Sequence, residues 1–353
     1  MPASIPPRAA TPSRCAAVAL AAFVACTTTA ALAAPPLYHI EVIDKGKSIR
    51  PTTGYAIANN GTVAGQGRDF EGMQAAFLRA DGKTRKLDTQ GSLRGGAYGV
   101  NNHGVAVGYN ESQAAMWDAN GVATDLSALI ACDRVVRSYA YSVNDAGAAV
   151  GTFSCDNSGG WEYGSFIFYN GSLSKLPDFG NGNTVAIGIN KFGQVVGSSE
   201  YPPQDGKRRM HAFSWHNGVM TDIGTLPGHA ESEATAVNDL GQIIGRSNAP
   251  DGDAESFVYV NGTMHPLPRC AGNRVITEAI NNKGQIVGSY LLKRYEAALI
   301  QDGRCYPLNA LLDDSGKDWW QLRAYDINDD GVIVGTGNFD NKWRGFIATP
   351  VKR

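Results

Sequence analysis

Short apolar runs, each stopped by Gly, Asn or Asp, follow one another from residue 38 to the end of the chain. Such runs, bounded by turn residues, read as strands joined by tight turns in an all-β protein. The pattern also repeats. Ala234-Thr-Ala-Val-Asn-Asp-Leu-Gly241-Gln-Ile-Ile-Gly245 has six counterparts, whose first glycines are Gly61, Gly104, Gly147, Gly193, Gly284 and Gly331. The seven glycines are spaced by 43, 43, 46, 48, 43 and 47 residues. A period in this range marks a repeat architecture.

Each repeat holds four candidate strands. An Ala-x-x-Ile/Val-Asn strand leads into a Gln-Ile-Ile-Gly type strand through Asn-x-x-Gly, as at Asn238–Gly241. Asn at the first and Gly at the fourth position specify a type I turn, with the Asn side-chain oxygen capping it and Gly at positive φ making a bulge. Six of the seven copies keep the Asn; the first has Ala58. A third strand follows a variable loop, from Ala76-Phe77-Leu78 in the first repeat to Gly345-Phe346-Ile347 in the last. Next come Asp81-Gly82, Asn120-Gly121, Asn170-Gly171, Asn217-Gly218, Asn261-Gly262 and Asp302-Gly303, each followed by a fourth strand such as Lys86-Leu87-Asp88. Asn-Gly and Asp-Gly between apolar runs are the strongest short hairpin signal.

The seventh repeat lacks that last turn and strand, and the chain stops at Arg353. The missing strand is available at the other end, in Tyr38-His-Ile-Glu-Val-Ile-Asp44. The expected fold is therefore a seven-bladed β-propeller with four antiparallel strands per blade. Strand 38–44 completes the last blade and closes the ring, so that no blade leaves an open edge. The strand count argues against an open solenoid or a pair of sandwiches. The Ala-x-x-Ile-Asn strands are placed beside the axis, where small residues fit, and the N-terminal strand outermost.

Residues 1–33 stand apart. Arg8 and Arg14, an apolar run from Cys15 to Cys26 and the small residues ending at Ala33 follow the order of a cleaved secretory signal. The apolar run is shorter than the roughly 20 residues that span a bilayer. Residues 34–353 are then one exported propeller domain, extracellular or periplasmic, without a membrane span and expected to be a monomer. Forty-two glycines and 18% charged residues fit a turn-rich β protein. A formal charge of −2 with no basic block gives no support for nucleic-acid binding. Four cysteines follow the signal, which allows three pairings. The repeat geometry favours Cys132–Cys155 and Cys270–Cys305, the nearest pairs. No Cys-x-x-Cys pair or histidine cluster suggests zinc, and no cofactor is expected.

Candidate chemistry lies in the variable loops, which alternating strand direction places on one face of the ring, a common location for binding residues. Aromatic and charged residues meet there: Arg68, Trp161 with Tyr163, Tyr201 with Arg209, Arg294 with Tyr295, and Trp343. Aromatic platforms beside hydrogen-bonding groups suit sugars or peptides. Asp326-Ile-Asn-Asp-Asp-Gly331 matches the opening of a calcium loop, but the closing acid would fall at Gly337, and the stretch is the seventh copy of the hairpin turn. Gly-x-Ser-x-Gly is absent, and His39, His103, His211, His216, His229 and His265 are scattered singly. No catalytic residue is assigned.

The Asn-x-x-Gly unit, followed by His211-Ala212-Phe213-Ser214-Trp215 and Asp222-Ile223-Gly224-Thr225-Leu226-Pro227-Gly228, resembles the HAF-repeat extracellular proteins of bacteria. The resemblance covers residues 34–353 and implies secretion and repeat architecture, without catalytic residues to carry over. Two functions follow as expectations. One is a binding or scaffold module that holds a glycan or a protein partner on the variable-loop face. The alternative is a polysaccharide lyase or hydrolase with a site at the axis, which requires two or three acids, or His with Arg, converging there.

Overall fold

The apolar runs are strands, and they assemble into seven separate four-stranded antiparallel sheets. A computed structural model describes residues 35–43, 49–204 and 206–351. The expected signal at 1–33 lies outside these residues, as does Asp44. Contacts gather Pro35–Arg353 into one unit. Successive first strands of the repeats touch one another around a full circle, the last (Trp319–Ile327) meeting the first (Ile49–Ile57). The molecule is a seven-bladed β-propeller with these strands innermost. The seventh sheet runs Trp319–Ile327, Ile333–Phe339, Lys342–Pro350 and then Tyr38–Val42, so the N-terminal strand is outermost and closes the ring.

The turns follow the expected chemistry. The first glycine of all seven motif copies takes positive φ, between 74° and 83°. In five of the six second hairpins both central residues are left-handed, for example Asn261 at 52° and Gly262 at 80°. The sixth differs: Asn120 stays in the ordinary region, and Asp118 closes a longer turn by receiving the Gly121 amide. The fourth strands start earlier than the sequence suggested, as at Lys83–Lys86. Leu87, Leu126, Leu176, Ile223 and Leu308, which lie at or just beyond their ends, are buried in the core.

Every inner strand carries a bulge at the same place. Tyr55, Tyr98, Tyr141, Ile187, Thr235, Glu278 and Tyr325 are skipped by the ladder to the second strand. Opposite each bulge stands the last glycine of the motif, Gly65 to Gly335. A Cβ there would come within 1.9 to 2.1 Å of an inner-strand carbonyl oxygen. In blades one, three, five and seven it would also strike the ring of the buried Phe on the third strand, as at Gly245 and Phe257 (2.8 Å). Bulges re-aim side chains, and these aim seven at the axis.

The motif Asn does more than cap its turn. In Asn238 the Oδ1 accepts the amides of Leu240 and Gln242, while Nδ2 donates to the Asn281 carbonyl of the next blade at 2.9 Å. The same inter-blade bond recurs from Asn101, Asn144, Asn190, Asn281 and Asn328. Ala58 cannot make it. Asn60 stitches blade one to blade two instead, through its amide and Nδ2 to Asn102. Two disulfides, Cys132–Cys155 and Cys270–Cys305, match the expected pairs. In each, the first cysteine sits in the loop entering a blade rather than on a strand, and the bond fastens that loop to its own blade.

Candidate functional site

The axis is built from the bulged residues. Tyr325, Tyr55, Tyr98 and Tyr141 form an arc of neighbouring rings, with centroids 5.3, 5.2 and 5.8 Å apart in sequence around the circle. Ile187, Thr235 and Glu278 complete the ring around an axial cavity of about 240 Å³. Burial pushes the Tyr55 hydroxyl up to about 12 and raises those of Tyr98, Tyr141 and Tyr325. Burial also pushes the Glu278 carboxyl up to about 7, against the opposing pull of Arg323 and Arg246. Asp326, one position further along in blade seven, is pushed up to about 6 by burial, although its oxygens accept the Ile57 and Ile327 amides. The Asp that opens the calcium-like stretch is thus a strut between blades seven and one.

At the turn-face mouth the aspartates are engaged in hydrogen bonds between neighbouring blades. Asp145 receives Asn102, Asp239 receives Lys191 and Asn282, and Asp329 receives Asn282 and Asn59. Among the described residues no group of three or more His, Cys, Asp or Glu is placed to hold a metal ion.

The eight residues singled out in the sequence all lie on the variable-loop face, spread around the ring. Trp161 and Tyr163 stack on each other on blade three, 6.2 Å between centroids, with more than half of each side exposed. Tyr201 packs on Phe179 and on His211. Arg209 lines a groove of about 520 Å³ between blades four and five. Arg294 stacks on Trp320, and Arg323 covers the ring of Tyr295. Tyr295 lines a cleft of about 740 Å³ between blades five and six.

Arg68 and Trp343, far apart in sequence, are brought together. They line one groove of about 350 Å³ where blade seven meets blade one, with Thr52, Thr53, Gln66, Gln74 and Thr336. Among the described residues no carboxylate lines it. Gln74 donates to the Tyr109 hydroxyl at 2.7 Å, and that hydroxyl lies 3.4 Å from Gln66 Oε1, which fixes both amides beneath the tyrosine arc. Arg68 is steadied by the Gly72 carbonyl at 2.9 Å. Trp343 is 46% exposed and lines the groove.

Sequence reasoning missed Gln66, Gln74 and Glu278. A signal existed for Glu278: it is the one charged residue in the column shared by Tyr55, Tyr98, Tyr141, Ile187, Thr235 and Tyr325. It also left His211 single. Its Nδ1 lies 3.0 Å from Asp222 Oδ2, so the His-Ala-Phe and Asp-Ile-Gly halves of the fourth blade are joined. That hydrogen bond lifts His211 above its ordinary value. Burial opposes ionisation of Asp222, yet the His211 and Gly224 bonds hold it below the usual carboxylate range.

No family model matches the chain, and no curated protein matches it. Among solved structures it is similar to the β-propeller domain of the Trilobed protease from Pyrococcus furiosus, described as having an open velcro topology. The TM-score is 0.54 and the identity 9%, over 91% of this chain and 95% of that one. It is similar to a puromycin-hydrolyzing peptidase of Mycobacterium tuberculosis, with TM-score 0.57 and 11% identity, over 86% of this chain and 53% of that one. It is also similar to YCF48 bound to D1 peptide, with TM-score 0.52 and 10% identity, over 91% of this chain and 98% of that one. At these identities the likeness is one of fold alone.

Proposed function

We propose that this chain is a glycan-binding propeller, and that the groove between blades seven and one holds the sugar. The observation that carries the reading is the composition of that groove: one tryptophan, one guanidinium, two amides and three hydroxyls, with no carboxylate among the described residues. A sugar ring presents an apolar C–H face and a rim of hydroxyls that both donate and accept. Trp343 suits the face; Gln66, Gln74 and Arg68 suit the rim. A pocket of this size falls within the range of small-ligand sites. The polysaccharide-active alternative needs two or three acids, or His with Arg, converging at the axis. Among the described residues lining the axial cavity there is no His or Arg, and of the two acids Asp326 is already held by two backbone amides, so binding is the better supported function.

The reading extends to kinship and location. We propose an exported, extracellular or periplasmic member of the HAF-repeat proteins. Two disulfides belong to an oxidising compartment. No helix among the described residues is long and apolar enough to cross a membrane. The HAF motif has coherent roles in blade four, with His211 on Asp222 and both Ala212 and Phe213 fully buried. A glycan array probed with the purified chain tests the function. Reproducible oligosaccharide hits that survive a chelator are expected; a blank array contradicts the proposal.

A further inference from the structure

The cleft between blades five and six lies on a different pair of blades from the sugar groove and has different chemistry. Three arginines line it, and each already has a counter-ion. Arg246 makes two bonds to Glu233, at 3.1 and 2.8 Å, Arg269 pairs with Glu255 at 3.0 Å, and Arg274 pairs with Asp253. Arg323, on the inner strand of blade seven, is turned onto the Tyr295 ring 4.0 Å away and does not line the cleft. One charged lining group is left over. Glu278 stands where the cleft meets the axial cavity and lines both. Its carboxyl has no hydrogen-bond or ion-pair partner among the described residues, and Arg246 and Arg323 act on it only through space. The rest of the wall includes Val275, Ile276 and Leu291, with Ile276 and Leu291 about half exposed.

We propose that this cleft binds an alkylammonium group, the side chain of a lysine or a free aliphatic amine, with the stem along Ile276 and Leu291 and the cation on Glu278. An unpaired carboxyl at the end of an apolar wall is complementary to a cation on an apolar stem, and the paired arginines leave no free positive charge on the lining to repel it. The groups facing Glu278 are Arg246 from the second strand of blade five and Arg323 and Tyr325 from the inner strand of blade seven. The neighbour in the same column of blade five is Thr235, which is neutral.

The test is calorimetric titration of the folded chain with n-hexylamine and with Nα-acetyl-lysine methylamide, using hexanol and hexanoate as controls. Both amines are expected to bind at pH 8. With the Glu278 carboxyl titrating at about 7, affinity falls about 30-fold by pH 5.5 as the carboxyl takes a proton. In Glu278→Thr, which installs the residue that blade five carries at this position, affinity is expected to drop at least tenfold and lose its pH dependence. Binding of the free amine alone, or of the lysine derivative alone, supports the site and identifies its source. The proposal is overturned if neither amine saturates the protein at tens of millimolar, or if hexanol or hexanoate binds as well. A Glu278→Thr protein that keeps full affinity overturns it too. Should that variant fail to fold, the wild-type profile decides alone, since a flat affinity from pH 5.5 to 8 contradicts the proposal.

Discussion

At the scale of the residue, the repeated Asn illustrates how one side chain meets two demands. Its oxygen caps a turn and its amide nitrogen ties that turn to the next blade. Asp can do the first and not the second. Asn238→Asp is therefore expected to cost about 2 kcal/mol in urea unfolding, because it withdraws a buried donor from the Asn281 carbonyl and sets a negative charge against it. If Asn were only a cap, Asp would be tolerated, and an unchanged midpoint would refute the inter-blade role. Glu278 makes a prediction of opposite sign. Its folded carboxyl titrates near 7, well above the value of the unfolded chain, so ionisation favours unfolding as pH rises. Glu278→Thr is expected to match the wild type in stability near pH 4. Its advantage grows as pH rises from there to about 7 and is constant beyond, and melting curves across this range check it. Fixed positions such as these were legible in the sequence to different degrees. The Asn cap was readable from local turn chemistry, whereas its second bond depends on a residue 43 positions away that only the closed ring brings near.

Among the elements, the strand-and-turn plan was readable because each hairpin is local. Type I turns with Gly, left-handed Asn-Gly pairs and the missing seventh outer strand are all visible without a partner blade. The bulge within each inner strand was not, since it appears only when two strands are in register. It nevertheless explains the last glycine of the motif more fully than turn chemistry does. Gly245 faces the Glu233 carbonyl, where a Cβ would sit 2.0 Å from the oxygen and 2.8 Å from the Phe257 ring. At Gly241, in the turn, a Cβ would meet only Gln194 Oε1 at an ordinary 3.7 Å, so the constraint there is its φ of 76°. Gly245→Ala is expected to cost about 3 kcal/mol and Gly241→Ala about 1 kcal/mol. Equal losses, or the reverse order, would show that the bulge does not constrain the blade. The disulfides act at this scale as well. They close loops with separations of 23 and 35 residues, which corresponds to about 3–4 kcal/mol each in chain entropy. Reduction is expected to lower the melting temperature without changing the far-ultraviolet spectrum of the folded state.

For the whole molecule, closure determines which residues meet. The N-terminal strand pairs with Lys342–Pro350, so blade seven is built from the first and the last described strands. Arg68 and Trp343 were each picked from their loops, but their meeting in one groove was not legible, because it depends on the ring having seven blades and returning to its start. The Trp161 and Tyr163 pair, equally conspicuous in sequence, stacks on itself on blade three, outside that groove. This contrast supplies the most direct test of the account. Affinity for an array-selected oligosaccharide would be measured in the wild type, in Trp343→Ala and in Trp161→Ala. The groove between blades seven and one predicts a loss of tenfold or more, about 1.4 kcal/mol, in Trp343→Ala and no change in Trp161→Ala. Full affinity in Trp343→Ala, with the loss in Trp161→Ala instead, would contradict it.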